Sequence, residues 1–301
     1  MKIRIAVAML AIYLVWGSTY LAIRFAVETI PPFIMAGTRY LIPGLLLFVW
    51  RRLAGDPAPT RRQWIAGAIV GLFLLLGGNG LLSWAELRLE SGVAALIVGT
   101  APIWMVFFDA ALTHKRPRWQ VIVGLLTGFG GIILLVGPAS LFGGHPRYDL
   151  LAIGIVLLAA LFWSIGSIYS RDADLPKSPL LGTGIEMLAG SAGLYLASLV
   201  SSEWKTFNLA AVSQQSLLGL LYLILFGTLV GFVAYTWLLR NAPISLVSTY
   251  AYVNPLVAIL LGNWLANEPL SWHIVLSAGI IIGSVVLINS FKTKPDRAPA
   301  D

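Results

Sequence analysis

Long apolar runs separated by short polar segments fill nearly the whole chain of 301 residues. A helix needs roughly 20 apolar residues to cross a bilayer, and ten runs of about that length can be recognised. They lie at 5–26, 32–50, 64–84, 92–112, 121–136, 150–169, 180–200, 217–239, 245–266 and 274–288. The pattern therefore predicts an all-α polytopic membrane protein with ten transmembrane helices.

The composition agrees with this prediction and narrows the classes of protein. Hydrophobic residues make up 58% of the chain and charged residues 11%, whereas soluble domains carry about 25% charged residues. A soluble fold is therefore excluded. The absence of cysteine excludes disulfides, thiolate catalysis and cysteine metal sites.

The net charge of +7 comes from an excess of basic residues, and most of these lie in the loops on one predicted side of the membrane. When the loops are assigned alternately to the two sides of the membrane, one side receives most of the Lys and Arg residues, which predicts that it is cytoplasmic. We therefore expect both termini in the cytoplasm, a retained first helix, a disordered tail at 292–301, and no nucleic-acid partner. The sparse side holds Arg88, Arg147 and Lys205; the rich side holds Lys2, Arg4, Arg51, Arg52, Arg61, Arg62, Lys115, Arg116, Arg118, Arg171, Lys177, Arg240, Lys292, Lys294 and Arg297.

The two halves of the chain also resemble each other. An offset of 147 residues aligns Trp16 with Trp163, and an offset of 153 aligns Pro102 with Pro255. Because each half has five predicted spans, an odd number, the second half enters the membrane inverted. This predicts two inverted repeats, 1–140 and 141–291, an architecture typical of secondary transporters that work by alternating access.

Five stretches resemble the drug/metabolite transporter superfamily, EamA type. They are WGSTYLAIRFAVETIPPFIMAGTRYL (16–41), GGNGLLSWAE (77–86), SGVAALIVGTAPIWM (91–105), WQVIVGLLTGFGGIILLVGP (119–138) and APISLVSTYAYVNPLVAILLGNWLANEPLSW (242–272). The resemblance covers nearly the whole chain. It implies a ten-helix carrier in the bacterial inner membrane that exports amino acids or related metabolites, with a central cavity formed by helices 1, 3, 4, 6, 8 and 9.

One motif departs from the family pattern. The family usually has Glu-Arg or Glu-Pro between the last two helices of each repeat; Glu268-Pro269 fits this pattern, but Lys115-Arg116 does not. A residue needed for transport at both symmetric positions would not tolerate this charge reversal. We therefore expect Glu268 to serve helix capping or loop packing.

Predicted helix 3 carries a polar face. Asn79, Ser83 and Glu86 are spaced i, i+4 and i+7, and polar groups deep in a span need partners or water. The functional interpretation is that this face binds substrate. In the alternative, Asn79 bonds backbone loosened by neighbouring glycines and Glu86 lies at the external interface.

Two tryptophans occupy matching positions on predicted helices 1 and 6. Trp16 and Trp163, with hydroxyl groups such as that of Tyr20 nearby, suit a zwitterionic or aromatic solute through stacking, cation–π contact and hydrogen bonds. We therefore expect all three to bind substrate. Core packing is the alternative role for the tryptophans.

Predicted helices 4 and 9 carry the symmetric prolines. Pro102 and Pro255 each remove a backbone donor and could act as gating kinks, or could be static kinks. The polar and aromatic residues around them are predicted to line the cavity: Thr100, Trp104, Tyr250, Tyr252 and Asn254.

Two charged residues match under the first offset, Arg39 in helix 2 and Glu186 in helix 7. Each is costly alone in lipid, so a buried ion pair between them is the favoured interpretation. Alternatively, Glu186 couples protons or Arg39 anchors a substrate carboxylate. Asp109 and His273 are weaker candidates for coupling.

Pairs of glycines four residues apart indicate close helix packing: Gly67/Gly71, Gly124/Gly128, Gly227/Gly231 and Gly279/Gly283. We expect a monomer, with a dimer through helix 5 or 10 as the alternative.

The sequence lacks the motifs of several other classes of function. The motifs of intramembrane metalloproteases, serine hydrolases and P-loop ATPases are missing from the sequence, so we expect neither an enzyme nor an ATP-driven pump, and no cofactor or metal. The alternatives are a lipid-linked or nucleotide-sugar translocator of the same fold, or a passive channel. The expected partners are a small-molecule substrate, the lipid bilayer and, for coupled transport, protons.

Overall fold

A computed structural model describes residues 2–105, 108, 119–136, 148–242, 247 and 249–290. These residues form helices and short connections, without a strand among them. The long helices are α1 (Lys2–Val27), α2 (Pro32–Leu53), α3 (Arg61–Ala85), α4 (Ser91–Met105), α5 (Trp119–Val136), α6 (Leu150–Asp172), α7 (Pro179–Val200), α8 (the consecutive segments Gln214–Tyr222, Leu223–Val230 and Gly231–Asn241), α9 (Tyr250–Ala266) and α10 (Trp272–Ser290). A one-turn helix, Glu203–Thr206, precedes α8.

Six of these helices are long and apolar enough to cross a membrane: α1, α2, α3, α6, α7 and α8. Four shorter apolar helices, Ser91–Met105, Ile122–Leu135, Val253–Ala266 and Trp272–Ser284, lie on the other predicted runs. The chain is therefore a multi-pass membrane protein whose described part is all-helical. The number of spans, ten, stays a prediction, since the end of the run at 92–112 lies outside the described residues. The predicted tail at 292–301 also lies outside them.

Several helices begin or end up to three residues beyond the predicted apolar run, because polar residues cap or extend them. Residue 64 begins the third run, but α3 starts at Arg61 because Thr60 forms a capping box with Gln63. The Thr60 hydroxyl accepts the backbone N–H of Gln63 at 3.2 Å, and the Gln63 amide oxygen accepts that of Thr60 at 3.0 Å. A capping box satisfies backbone N–H groups at the start of a helix. Because the residues that form it are polar, the apolar run alone does not show where the helix begins.

Two helices change from α to π geometry in the middle of the bundle. The segment Leu72–Gly80 of α3 and the segment Leu223–Val230 of α8 are both π-helical. They occupy corresponding places in the two halves of the chain. Such segments are rare, and they frequently lie at functional sites.

The packing of the helices follows a reciprocal pattern. Helix α2 packs on α7, α5 on α10 and α4 on α9. Helix α1 packs on α8 and α9, while α6 packs on α3 and α4. The pattern is unchanged when each helix of the first half is exchanged with its counterpart in the second.

The largest apolar core lies towards the end of the bundle where α1 ends and α4 begins. It joins residues of both halves, among them Ile23, Leu96, Val156, Leu223 and Ala258. By the distribution of basic residues, this is the predicted extracytoplasmic end. A smaller core at the opposite end is formed by α1, α8 and residues near the start of α9.

Close packing accounts for some of the glycine pairs. Helices α3 and α7 approach at Gly71 and Gly190, where a Cβ on Gly190 would lie 2.9 Å from the Gly71 carbonyl oxygen. For Gly279 and Gly283, however, the packing prediction is wrong. A Cβ at either position on α10 would meet no atom within 4 Å in the described part of the chain.

Candidate functional site

A cavity lies at the centre of the bundle, between α1, α3, α4, α6, α8 and α9, the same helices that the family resemblance implies. Helix α2 adds one lining residue, Arg39. The space open to the centres of water-sized spheres is about 80 Å³. One water needs roughly 10–15 Å³ by this measure, so the cavity holds several waters or a small solute.

Trp16 forms the aromatic centre of this cavity. Its ring nitrogen donates a hydrogen bond to the carbonyl oxygen of Gly227 at 3.1 Å. Its ring meets those of Trp163 and Tyr250 edge to face, with centroids 6.2 Å and 5.4 Å apart. Phe232 of α8 packs against the same ring at 5.6 Å. Trp16 therefore lines the cavity and also packs in the core, and its binding of substrate stays a prediction.

Of the predicted polar face on α3, Asn79 reaches the cavity. Its amide also donates to the carbonyl oxygen of Leu74 at 3.2 Å, which is the backbone role proposed as the alternative. Ser83 does not line the cavity. Its hydroxyl is buried and donates to the Asn79 carbonyl oxygen at 2.8 Å. Glu86 also lies outside the lining and is 1% exposed. Neither of its carboxylate oxygens has a hydrogen-bond partner among the described residues.

The predicted site residues of α4 lie away from the cavity. The Thr100 hydroxyl donates to the Ile97 carbonyl oxygen at 2.6 Å, and the Trp104 ring packs against Phe129 with centroids 5.9 Å apart. Pro102 follows a turn at residues 99–100 that interrupts the helix, and it does not line the cavity. Helix α4 instead contributes Gly99, which lies against Pro255.

Helix α9 supplies three of the predicted residues to the cavity wall, Tyr250, Asn254 and Pro255. Tyr20 of α1 also lines the cavity. The two symmetric prolines therefore differ in position, since Pro255 belongs to the wall and Pro102 does not. Their gating role stays a prediction. Asp109 and the side chain of Tyr252 lie outside the described residues, and His273 packs its ring on that of Trp272.

Arg39 and Glu186 do not form the predicted ion pair. Arg39 is 3% exposed and donates from Nε to the Thr228 hydroxyl of α8 at 3.2 Å. Glu186 lies where α7 packs on α3, with its backbone against Gly71. Equivalent positions in two repeats need not be in contact, which explains the error.

Beyond the cavity, towards the predicted extracytoplasmic end, Arg24 and Glu268 form an ion pair, with Nε and Oε1 3.5 Å apart. Arg24 also donates from Nη1 to the Leu89 carbonyl oxygen at 2.7 Å. Glu268 caps α4, as the sequence predicts.

Burial and the neighbouring Glu268 carboxylate raise the pKa of Glu90 above its usual range. Arg24 lies at the edge of a predicted span, and its contact with the distant Glu268 leaves no pattern in the sequence.

A multi-pass helical bundle with a buried, partly polar cavity between its two halves has the architecture of a membrane solute carrier. The sequence profile described as the EamA-like transporter family matches residues 3–137 and 150–290. The chain therefore belongs to the EamA-like transporter family.

Named relatives extend over nearly the whole chain. The uncharacterized inner membrane transporter YedA of Escherichia coli (strain K12) is 38% identical over 297 residues, covering 97% of this chain and 94% of its own. The uncharacterized transporter YvbV of Bacillus subtilis (strain 168) is 24% identical over 300 residues, covering 99% and 95%. A solved crystal structure, 20% identical, has a TM-score of 0.65 over 94% of this chain and 96% of its own, which supports the same fold.

Proposed function

We propose that this protein exports small amphipathic metabolites, amino acids or related compounds, across a bacterial inner membrane by alternating access. The observation that carries the proposal is the central cavity, whose wall has aromatic faces and two amides drawn from both halves of the chain, and one guanidinium. The inner membrane location follows the description of the YedA relative. Both termini are placed in the cytoplasm by the positive-inside rule.

The chemistry of the wall fits a solute with an apolar part and a polar end. Aromatic faces such as those of Trp163 and Tyr250 bind apolar groups and attract an ammonium. Asn79 and Arg39 offer hydrogen-bond donors on the wall of the same cavity. The modest volume favours a small metabolite.

Three observations support an inverted repeat of 1–140 and 141–291 with ten spans. The helix packing is reciprocal, the two π-helical segments lie at corresponding places, and the family profile matches each half separately. Inverted repeats can pack in two nearly equivalent ways, one open to each side of the membrane. The large apolar core and the Arg24–Glu268 ion pair both lie towards the predicted extracytoplasmic end.

A translocator of lipid-linked or nucleotide-sugar substrates is the second candidate function. The buried Arg39 favours it, because guanidinium groups bind phosphate well. Against it, Arg39 alone carries a charge among the described residues that line the cavity. A diphosphate group is usually held by several donors.

The test is counterflow into proteoliposomes preloaded with a panel of amino acids, with and without a proton gradient. We expect saturable counterflow that is lost in an Asn79→Ala/Trp163→Ala double variant. Stimulation by the gradient would identify protons as the coupling ion. Linear, unsaturable flux would instead indicate a channel, and flux of nucleotide sugars alone would support the second candidate.

A further inference from the structure

The wall of the cavity contains a buried guanidinium, that of Arg39, which has no carboxylate within ion-pair distance among the described residues. We propose that Arg39 is the binding site for a carboxylate of the transported solute, so that the substrate class is defined by its acid group. This inference rests on the proposed function, because it assigns a role within the same cavity.

None of the ion pairs between described residues includes Arg39, and Glu86, the buried carboxyl group that attracts it electrostatically, does not line the cavity. The ion pairs join Arg24 to Glu268, Arg51 to Asp56 and Arg88 to Asp149. A cation that is 3% exposed in the middle of a membrane protein is costly unless an anion accompanies it. Since Arg39 lines the cavity, an anionic group of a bound solute can occupy that position.

The guanidinium is held in one orientation. Thr228 accepts the hydrogen bond from Nε, and the guanidinium carbon lies 5.0 Å from the centre of the Tyr40 ring. With one nitrogen and one face engaged, the terminal nitrogens are left for a ligand. Nη1 is shielded from solvent and has no hydrogen-bond partner among the described residues.

Space beside the guanidinium is kept by Gly227. A Cβ at this position would lie 3.3 Å from Nη2 of Arg39, so a larger residue would crowd the group. The Gly227 carbonyl oxygen also accepts the hydrogen bond from Trp16. The aromatic centre and the guanidinium are therefore joined through one residue, and a solute can place its acid group on Arg39 and its apolar part on the aromatic rings.

The wall has no matching anion for an amino group. Among the described lining residues there is no Asp or Glu, so an ammonium would be received by aromatic faces and neutral oxygens. Charge-assisted hydrogen bonds from Arg to a carboxylate are stronger than such contacts. Recognition should therefore depend more on the carboxylate of an amino acid than on its ammonium.

The experiment measures ligand-induced thermal stabilisation of the purified full-length chain in detergent. Leucine and phenylalanine are each compared with the corresponding amide, which lacks the carboxylate, and with the desamino acid, which lacks the ammonium. We expect the amino acids and the desamino acids to bind. The amides should bind about tenfold to a hundredfold more weakly than the acids, the effect of losing a hydrogen bond to a charged group.

Arg39→Gln should remove the preference for acids over amides. Arg88→Gln is the matched control, because its ion pair with Asp149 is exposed and lies outside the cavity. If Arg39→Gln fails to fold, the acid-to-amide comparison in the wild-type chain still decides. Thr228→Val then provides a second variant that keeps the guanidinium but removes the partner of Nε, and we expect weaker binding of the acids alone.

Equal binding of acids and amides, a retained acid preference in Arg39→Gln, or no binding of any acid in the panel would each overturn the assignment. Counterflow separates this failure from failure of the proposed function. Saturable flux of the amides that is as efficient as that of the acids would leave a carrier without a carboxylate site. Absence of saturable flux for every compound would reject both.

Discussion

Glu268 caps the helix that begins at Ser91, in the other half of the chain: its Oε1 accepts the Ser91 backbone N–H at 2.8 Å, and its Oε2 accepts the Ser91 hydroxyl at 2.9 Å. The backbone N–H of Gly92 donates to the same Oε2 at 3.2 Å. Because Glu268 also pairs with Arg24, one carboxylate connects α1, α4 and the segment between α9 and α10. Its position in the first repeat is occupied by Lys115, so this connection has no acidic counterpart there.

The first prediction concerns this cap. Glu268→Gln keeps the shape but replaces one acceptor oxygen by a donor that faces backbone N–H groups. We expect the free energy of unfolding to fall by about 1.5–3 kcal/mol, the range for hydrogen bonds to charged groups. Thermal unfolding of the purified protein in detergent measures the effect. An unchanged melting temperature would show that the cap contributes little.

Glu86 provides the second prediction, with the same substitution and the opposite outcome. Its carboxyl group is buried and its oxygens lack partners in the described part of the chain. A buried group of this kind costs free energy, so the neutral Glu86→Gln should leave the melting temperature unchanged or raise it. Transport should also persist, because Glu86 lies outside the cavity wall. A clear loss of stability would contradict this view of Glu86.

The third prediction separates two neighbours on α3. Asn79→Ala should lower the transport efficiency by about tenfold, because a polar contact to the solute, worth roughly 1 kcal/mol or more, is lost. Ser83→Ala should change it by less than about twofold, since the Ser83 hydroxyl is engaged with the backbone of α3. Counterflow rates of the two variants at equal protein levels measure the difference. Equal losses would mean that the two residues act together.

The same residues show how far sequence can predict this site. The spacing i, i+4 and i+7 places Asn79, Ser83 and Glu86 on one face of a regular α-helix. The π-helical segment ends at Gly80 and residues 81–85 are α-helical, so the spacing holds, but Ser83 bonds the Asn79 carbonyl oxygen and Glu86 follows the end of the helix, and neither lines the cavity. Apolar runs predict spans well because the bilayer sets their length. Contacts between distant helices, such as Arg39 with Thr228, leave no comparable pattern.

The fourth prediction compares the two matching tryptophans. Trp16→Ala should lower both stability and transport, because Trp16 is buried, hydrogen-bonded to Gly227 and packed among several rings. Truncation of such a residue typically costs about 3–5 kcal/mol. Trp163→Ala should affect transport more than stability, since this ring is half-buried and lies on the cavity wall. Melting temperatures measured beside counterflow rates distinguish the two; normal transport by Trp163→Ala would remove that residue from the site.

The fifth prediction tests which glycines hold the bundle together. A Cβ on Gly190 would lie 2.7 Å from the Cβ of Leu75 and 2.9 Å from the Gly71 carbonyl oxygen. Gly190→Ala must therefore push α3 and α7 apart, and overpacking of this kind costs about 1–3 kcal/mol. Gly279→Ala is the matched control, because a Cβ there meets no atom within 4 Å in the described structure. Alanine is the better helix former by about 0.5–1 kcal/mol, so this control should be neutral or stabilising. Destabilisation by Gly279→Ala alone would instead place a second copy of the chain against α10, the dimer considered as an alternative to the monomer.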